Sequence, residues 1–131
     1  MKIHLETGAG LNVVRHYGPG RIVVNAADYR ASLIVLPDRL IDDWPPQAFA
    51  ELTCAHFEML AALKPELIVL GTGARLRFPA AALTRPLIEA RIGLEVMDTA
   101  AACRTYNILV SEGRNVAGAL LMIEESVASG K

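Results

Sequence analysis

Residues Pro65–Gly73 read PELIVLGTG, and within them Leu67–Leu70 is an unbroken apolar run that ends on Gly71-Thr72-Gly73. Apolarity without alternation suits a strand covered on both faces, the kind found in parallel sheets. Toward the C-terminus the pattern alternates between strand and helix. Thr84-Arg85-Pro86 predicts a helix start, with Thr84 as the cap and Pro86 in the first turn, where its missing N–H costs nothing. Gly93 predicts the stop of that helix. Leu94–Met97 reads as a short strand. Asp98 and Thr99 then offer alternative caps for a helix that runs to about Ser111 and stops at Gly113. Val116–Ile123 reads as the last strand, and from Glu124 the tail turns polar and small. The stretch from Leu67 to Ile123 is therefore a strand–helix–strand–helix–strand unit, an α/β layer with right-handed crossovers. Arg75–Phe78 would extend its first strand or form a short edge piece, with Arg75 and Arg77 on one face.

The first part of the chain reads as β. Asn12–Tyr17 and Arg21–Asn25 flank Gly18-Pro19-Gly20, a strong turn signal, and Ser32–Leu36 is a third run ended by Pro37-Asp38. Loops this short cannot make parallel crossovers, so the three runs predict an antiparallel meander. Pro45-Pro46 resets the chain. From Gln47, Phe49, Leu52, His56, Met59, Leu60 and Leu63 recur at spacings of three and four, one face of an amphipathic helix that ends before Lys64-Pro65.

At 131 residues and 53% hydrophobic content, the chain fits one domain over residues 1–131, with a core large enough to need no staple. Its 13 basic and 14 acidic residues leave a net charge of −1. That balance argues against nucleic acid as a partner, because phosphate binding usually leaves a basic excess. No basic run exceeds two residues, so a polybasic membrane tether is disfavoured too. No apolar run approaches the ~20 residues of a membrane helix, so membrane insertion is not expected. Met1–Leu11 matches neither a signal peptide nor an Arg-rich transit peptide. Cys54 and Cys103 make no disulfide framework, and two buried thiols in a reducing cytoplasm are the expectation. The composition permits a homo-oligomer without indicating one.

Ligands in open α/β sheets sit beyond the carboxyl ends of strands, so the Gly71-Thr72-Gly73 turn is the first place to look for one. It matches neither a dinucleotide fingerprint nor a P-loop, and a tight turn where the backbone passes close to a neighbouring element is the more ordinary explanation of the glycines. Arg104, Asn107 and Arg114 are candidates to converge on it as a polar pocket. Asn107 is a poor helix former at mid-helix. In the structural alternative it bonds a loop backbone while Arg104 pairs with Asp98 or Glu112. Asp98 reads as a helix cap whose carboxylate would repel a second anion at that helix start. Cys103 lies more than a turn inside its helix, away from any feature that lowers a thiol pKa. Cys54 and His56, at i and i+2, face different sides of a helix, and His4 and His16 have no ligand-like spacing to them. His56 fits a hydrogen-bonded histidine of the core or its rim. No catalytic residue, metal ligand or cofactor is expected.

Pro65–Gly73 and Met97–Leu120 (MDTAAACRTYNILVSEGRNVAGAL), with Tyr17-Gly18-Pro19-Gly20 and Trp44, resemble the domain shared by the mitochondrial complex I assembly factor 3 family, the adipogenesis-associated methanogen-protein-like proteins and many small prokaryotic proteins. The resemblance implies a three-layer α/β sandwich with a central mixed sheet and an additional N-terminal β layer. It implies no enzyme activity, cofactor or catalytic residue. It implies a non-catalytic interaction or assembly factor with a protein partner, related through its eukaryotic members to a respiratory complex, in the free-standing prokaryotic form. The residue reading adds an alternative: a small-ligand binder or weak enzyme with its pocket at Gly71–Gly73.

Overall fold

The computed structural model describes residues 2–5, as backbone, and residues 10–125 in full. Nine strands and three α-helices are assigned within them: β1 (Lys2–Leu5), β2 (Val14–Gly18), β3 (Arg21–Val24), β4 (Ala27–Tyr29), β5 (Leu33–Leu36), β6 (Arg39–Asp42), α1 (Cys54–Ala62), β7 (Leu67–Gly71), α2 (Arg85–Glu89), β8 (Gly93–Met97), α3 (Thr99–Ser111) and β9 (Val116–Leu120). The central sheet has the order β1-β6-β5-β9-β7-β8. Its β9-β7-β8 half is parallel and its β1-β6-β5 half antiparallel, joined where β5 runs antiparallel to β9. A separate antiparallel sheet, β2-β3-β4, forms the extra layer.

Strand alternation divides the core in two. Leu33, Val35, Val69, Val116 and Leu120 face α3 and the β2–β4 layer, where Tyr106, Cys103 and Ile22 complete one cluster. Ile34, Leu36, Ile68, Leu70, Ala117 and Ala119 face α1 and α2, where Trp44, Phe57, Leu60 and Leu87 complete the other. The continuous apolar runs are needed because successive side chains of one strand feed opposite cores. The fold is thus the three-layer α/β sandwich with a mixed central sheet and an added N-terminal β layer.

Several element boundaries differ from expectation. The Gly18-Pro19-Gly20 turn does join a hairpin, but its third strand is β4, reached through Asn25 at φ 53°. Leu33–Leu36 is buried throughout and belongs to the central sheet, paired with β6 and β9. The helix expected from Gln47 starts only at Cys54. Phe49–Glu51 is a 3-10 turn, and the Thr53 N–H donates to His56 Nδ1 at 3.0 Å to cap α1. His56 is a half-buried rim residue with its ring edge toward Trp44 at 6.1 Å. Arg75–Phe78 forms no strand. Thr84 ends a 3-10 turn, donating to Ala81 O, and does not cap α2. Arg91, at φ 59°, takes the left-handed position after α2 that Gly93 was expected to fill. Gly93 instead opens β8, where a Cβ would stand 3.0 Å from Leu67 Cδ1. Asp98 caps α3, accepting from Ala101 N at 2.9 Å, and Gly113 stops it at φ 81°. The last strand ends at Leu120, although Ile123 still bridges to Pro19. The polar tail lies outside the described residues from position 126 onward. No helix among the described residues is long and apolar enough to cross a membrane.

Candidate functional site

The carboxyl ends of β7 and β9 lie side by side. The chain leaving β7 crosses to α2 on one face, and the chain leaving β9 runs to Pro19 of the added β layer on the other. This divergence is the place where an open α/β sheet usually takes a ligand. Here the chain's own groups fill it. A Cβ on Gly71 would lie 2.9 Å from the Thr99 Cα and 2.8 Å from its Oγ1, so only glycine lets the start of α3 sit this close. Thr99 is fully buried; its Oγ1 accepts from Gly73 N at 2.8 Å and donates to Leu121 O at 2.7 Å. Thr72 Oγ1 accepts from Arg77 N at 3.2 Å and lies 2.6 Å from Arg75 O, to which it donates. Gly73, at φ 105°, turns the next amide outward, and the Glu124 carboxylate accepts from Ala74 N at 2.6 Å. Arg77 lies 3.9 Å from the other oxygen of Glu124 and 5.7 Å from the centroid of the Phe49 ring.

Gly71, Thr72 and Gly73 form one cluster, and the three candidates from the last helix and its exit lie elsewhere. Arg104 donates from Nη1 to Tyr17 Oη at 2.8 Å, tying α3 to the added layer. Asn107 does the same from its whole amide: Oδ1 accepts from Val14 N at 2.9 Å and Nδ2 donates to Val14 O at 2.8 Å. This extends a ladder to the first residue of β2, beside the irregularity between Val14 and His16. Arg114 pairs with Glu66 at 3.0 Å, ahead of the opposite end of β7. That bond, with the Asn115 N–H, lowers the Glu66 pKa. Arg114 also borders a cleft of about 510 Å³ with Asp38, Arg39, Leu63, Lys64 and Asn115. A second cleft, of about 420 Å³, lies between Asn12, Asn25, Tyr29 and Leu40 and contains none of the six candidates.

The titratable groups offer little chemistry. Burial pushes the Cys103 thiol up to about 12 against a weaker opposing pull from Arg104. Burial likewise raises the Tyr106 phenol, which donates to Asn12 O at 3.0 Å. Neither group is ionised near neutral pH, so neither supplies a nucleophile or base there. Among the described residues no three His, Cys, Asp or Glu side chains gather as metal ligands. The side chain of His4 lies outside the described residues. Glu124, Thr99 and Tyr17 are not among the candidate site residues of the sequence. Threonine directly after a capping Asp98 was the one local hint, and it read as an alternative cap.

A three-layer α/β domain whose switch-point crevice is closed by its own side chains defines a class of scaffold before it defines a reaction. The chain belongs to a family of proteins of unknown function, DUF498/DUF598, whose model matches residues 14–121. It is 33% identical over 118 residues to the NADH dehydrogenase [ubiquinone] 1 alpha subcomplex assembly factor 3 of Danio rerio, covering 88% of this chain and 67% of that protein. It is 30% identical over 108 residues to a 13 kDa major membrane protein of Francisella tularensis subsp. holarctica, covering 78% of this chain and 84% of that one. A solved Bordetella pertussis protein, a Mth938-like domain, superposes with a TM-score of 0.80 at 32% identity, over all of this chain and 98% of that one.

Proposed function

We propose that this chain is a non-catalytic interaction or assembly factor acting on a protein partner in the cytoplasm, in the service of a respiratory-chain complex. The observation that carries this reading is the disposition of its polar groups. Thr99, Arg104, Asn107 and Arg114 hold one element of the fold to another, and Thr72 Oγ1 joins the turn after β7 to Met97 O at the end of β8. What remains for recognition is surface, including large apolar side chains left in solvent. The kinship with complex I assembly factor 3 supplies the kind of partner. The test is deletion of the gene, with assembled complex I read on native gels and crosslinked pulldown of the tagged chain. A fall in assembled complex, with a subunit or co-factor crosslinked to the chain, is expected. Normal complex levels with no crosslinked subunit would overturn the reading.

One observation favours a second reading, a small-ligand binder at Gly71–Gly73. A carboxylate, that of Glu124, already rests on Ala74 N beside Arg77. Titrating the Glu124→Ala variant with acetate, followed by the amide shifts of Gly73 and Ala74, tests it. Unmoved amides would remove this reading.

A further inference from the structure

The connection from β7 to β8, residues 74–92, is chemically unlike the rest of the chain. It carries four arginines, Arg75, Arg77, Arg85 and Arg91, against one acid, Glu89, leaving nine basic and thirteen acidic residues elsewhere. No two of these arginines are adjacent in sequence, so no basic run marks them; the fold places them on one excursion beside the edge strand β8. Arg75, Arg85 and Arg91 are exposed and have no carboxylate partner among the described residues. The same connection holds the two most exposed large apolar side chains among the described residues, Phe78 at 71% and Ile88 at 69%, with Leu76 at 51%.

The local geometry explains this exposure. Arg77 is held against Phe49 and Glu124, so its neighbours in the extended strap, Leu76 and Phe78, are turned to solvent. In α2, Leu87 is wholly buried and the next residue, Ile88, therefore points outward. Pro79 and Pro86 restrict the backbone at both places. Neither of the two clefts described above is lined by these residues.

We infer that residues 74–92 are a docking face for the surface of an anionic lipid bilayer. Single apolar tips separated by guanidinium groups suit a soft interface, into which each tip inserts independently while arginine stems follow and their heads stay with the phosphates. A protein partner would call for a packed, shape-matched apolar centre, whereas the exposed apolar tips here stand singly, with Arg77 between Leu76 and Phe78. Each arginine near an anionic surface strengthens binding roughly fivefold. The acidic remainder of the chain orients this face inward by repulsion. Glu89, beside Ile88, and Glu95 on β8 are the exposed acids nearest in sequence and oppose the attraction locally. The inference stands on this surface alone and does not rest on the assembly reading, since vesicle binding reports neither a partner nor a complex.

Flotation of the whole chain with vesicles tests it. With equal parts phosphatidylglycerol and phosphatidylcholine the chain is expected to float; with phosphatidylcholine alone, or in high salt, it is expected to stay behind. Leu76→Ser with Phe78→Ser, checked for unchanged circular dichroism, should abolish flotation. Arg75→Glu with Arg85→Glu should weaken it at least tenfold, and this pair decides the matter if the apolar variant misfolds. No flotation with the anionic vesicles overturns the inference. So does flotation that neither variant pair changes. A partner protein captured through Leu76 and Phe78 while vesicles do not bind assigns the face to protein instead.

Discussion

Asn107 sits in the middle of α3, where asparagine costs roughly 0.5 kcal/mol relative to alanine in helix propensity. Its amide serves both the N–H and the C=O of Val14. Replacing it strands two partly buried backbone groups, at about 1–3 kcal/mol each in an unfavourable case. Asn107→Ala is therefore expected to lower the urea midpoint by an amount worth about 1–3 kcal/mol, despite the better helix former. A midpoint that stays level or rises would show that Val14 finds other partners. Cys103 gives a second test. Its thiol is held up at about 12 by burial, above the 9.0 of a free thiol, so the folded state keeps a proton that the unfolded state releases. Its contribution is fully present below about 9 and is lost as pH rises toward about 12. Stability should decline across that window, and the decline should lessen in Cys103→Ala. In native protein at pH 8, a disulfide reagent should titrate Cys54 alone, with Cys103 reacting only after unfolding; two fast thiols would contradict this.

Single elements were legible where burial wrote itself into sequence. Leu67–Leu70 and Val116–Leu120 show as apolar runs because both faces of their strands are covered. The same property hid the place of Leu33–Leu36, since a run buried on both sides names no neighbour. β4 escaped notice because Ala27 and Asp28 are poor strand formers, held by pairing with β3. The start of α1 was misplaced because Phe49 and Leu52 sit at helical spacing in a segment that is only a 3-10 turn and an extended link. The candidate residues were individually visible as polar groups in unusual positions. Their partners were not, because Arg104–Tyr17 and Asn107–Val14 span 87 and 93 residues of chain. The sheet order adds an expectation for amide exchange. β9 is buried along its length and paired on both sides, so its amides should exchange only by global unfolding. β8 pairs on one side only, and its outward amides should exchange orders of magnitude faster. Equal protection in β8 and β9 would indicate that something else covers the β8 edge.

At the scale of the molecule the two cores share one sheet. Leu33 and Val35 belong to the core under α3, while Ile34 and Leu36, between and beside them, belong to the core under α1 and α2. Ile68 and Val69 divide in the same way. Neither core can open without moving backbone that the other needs, so the three layers should unfold as one cooperative unit. The chain carries its own probes on both sides. Trp44, the single tryptophan, is fully buried in the α1–α2 core, and Cys103 is fully buried in the α3 core. In urea, the fluorescence change of Trp44 and the onset of Cys103 labelling, with Cys54 replaced by serine, should share one midpoint and one slope. Independent cores would give two midpoints, with Trp44 reporting one and Cys103 the other. The pins that cross to the outer β layer, Arg104 to Tyr17 and Asn107 to Val14, extend the same argument to β2–β4. Asn107→Ala should therefore move both midpoints together; a shift confined to the Cys103 probe would mean that the added layer and α3 can come away from a sheet that remains folded.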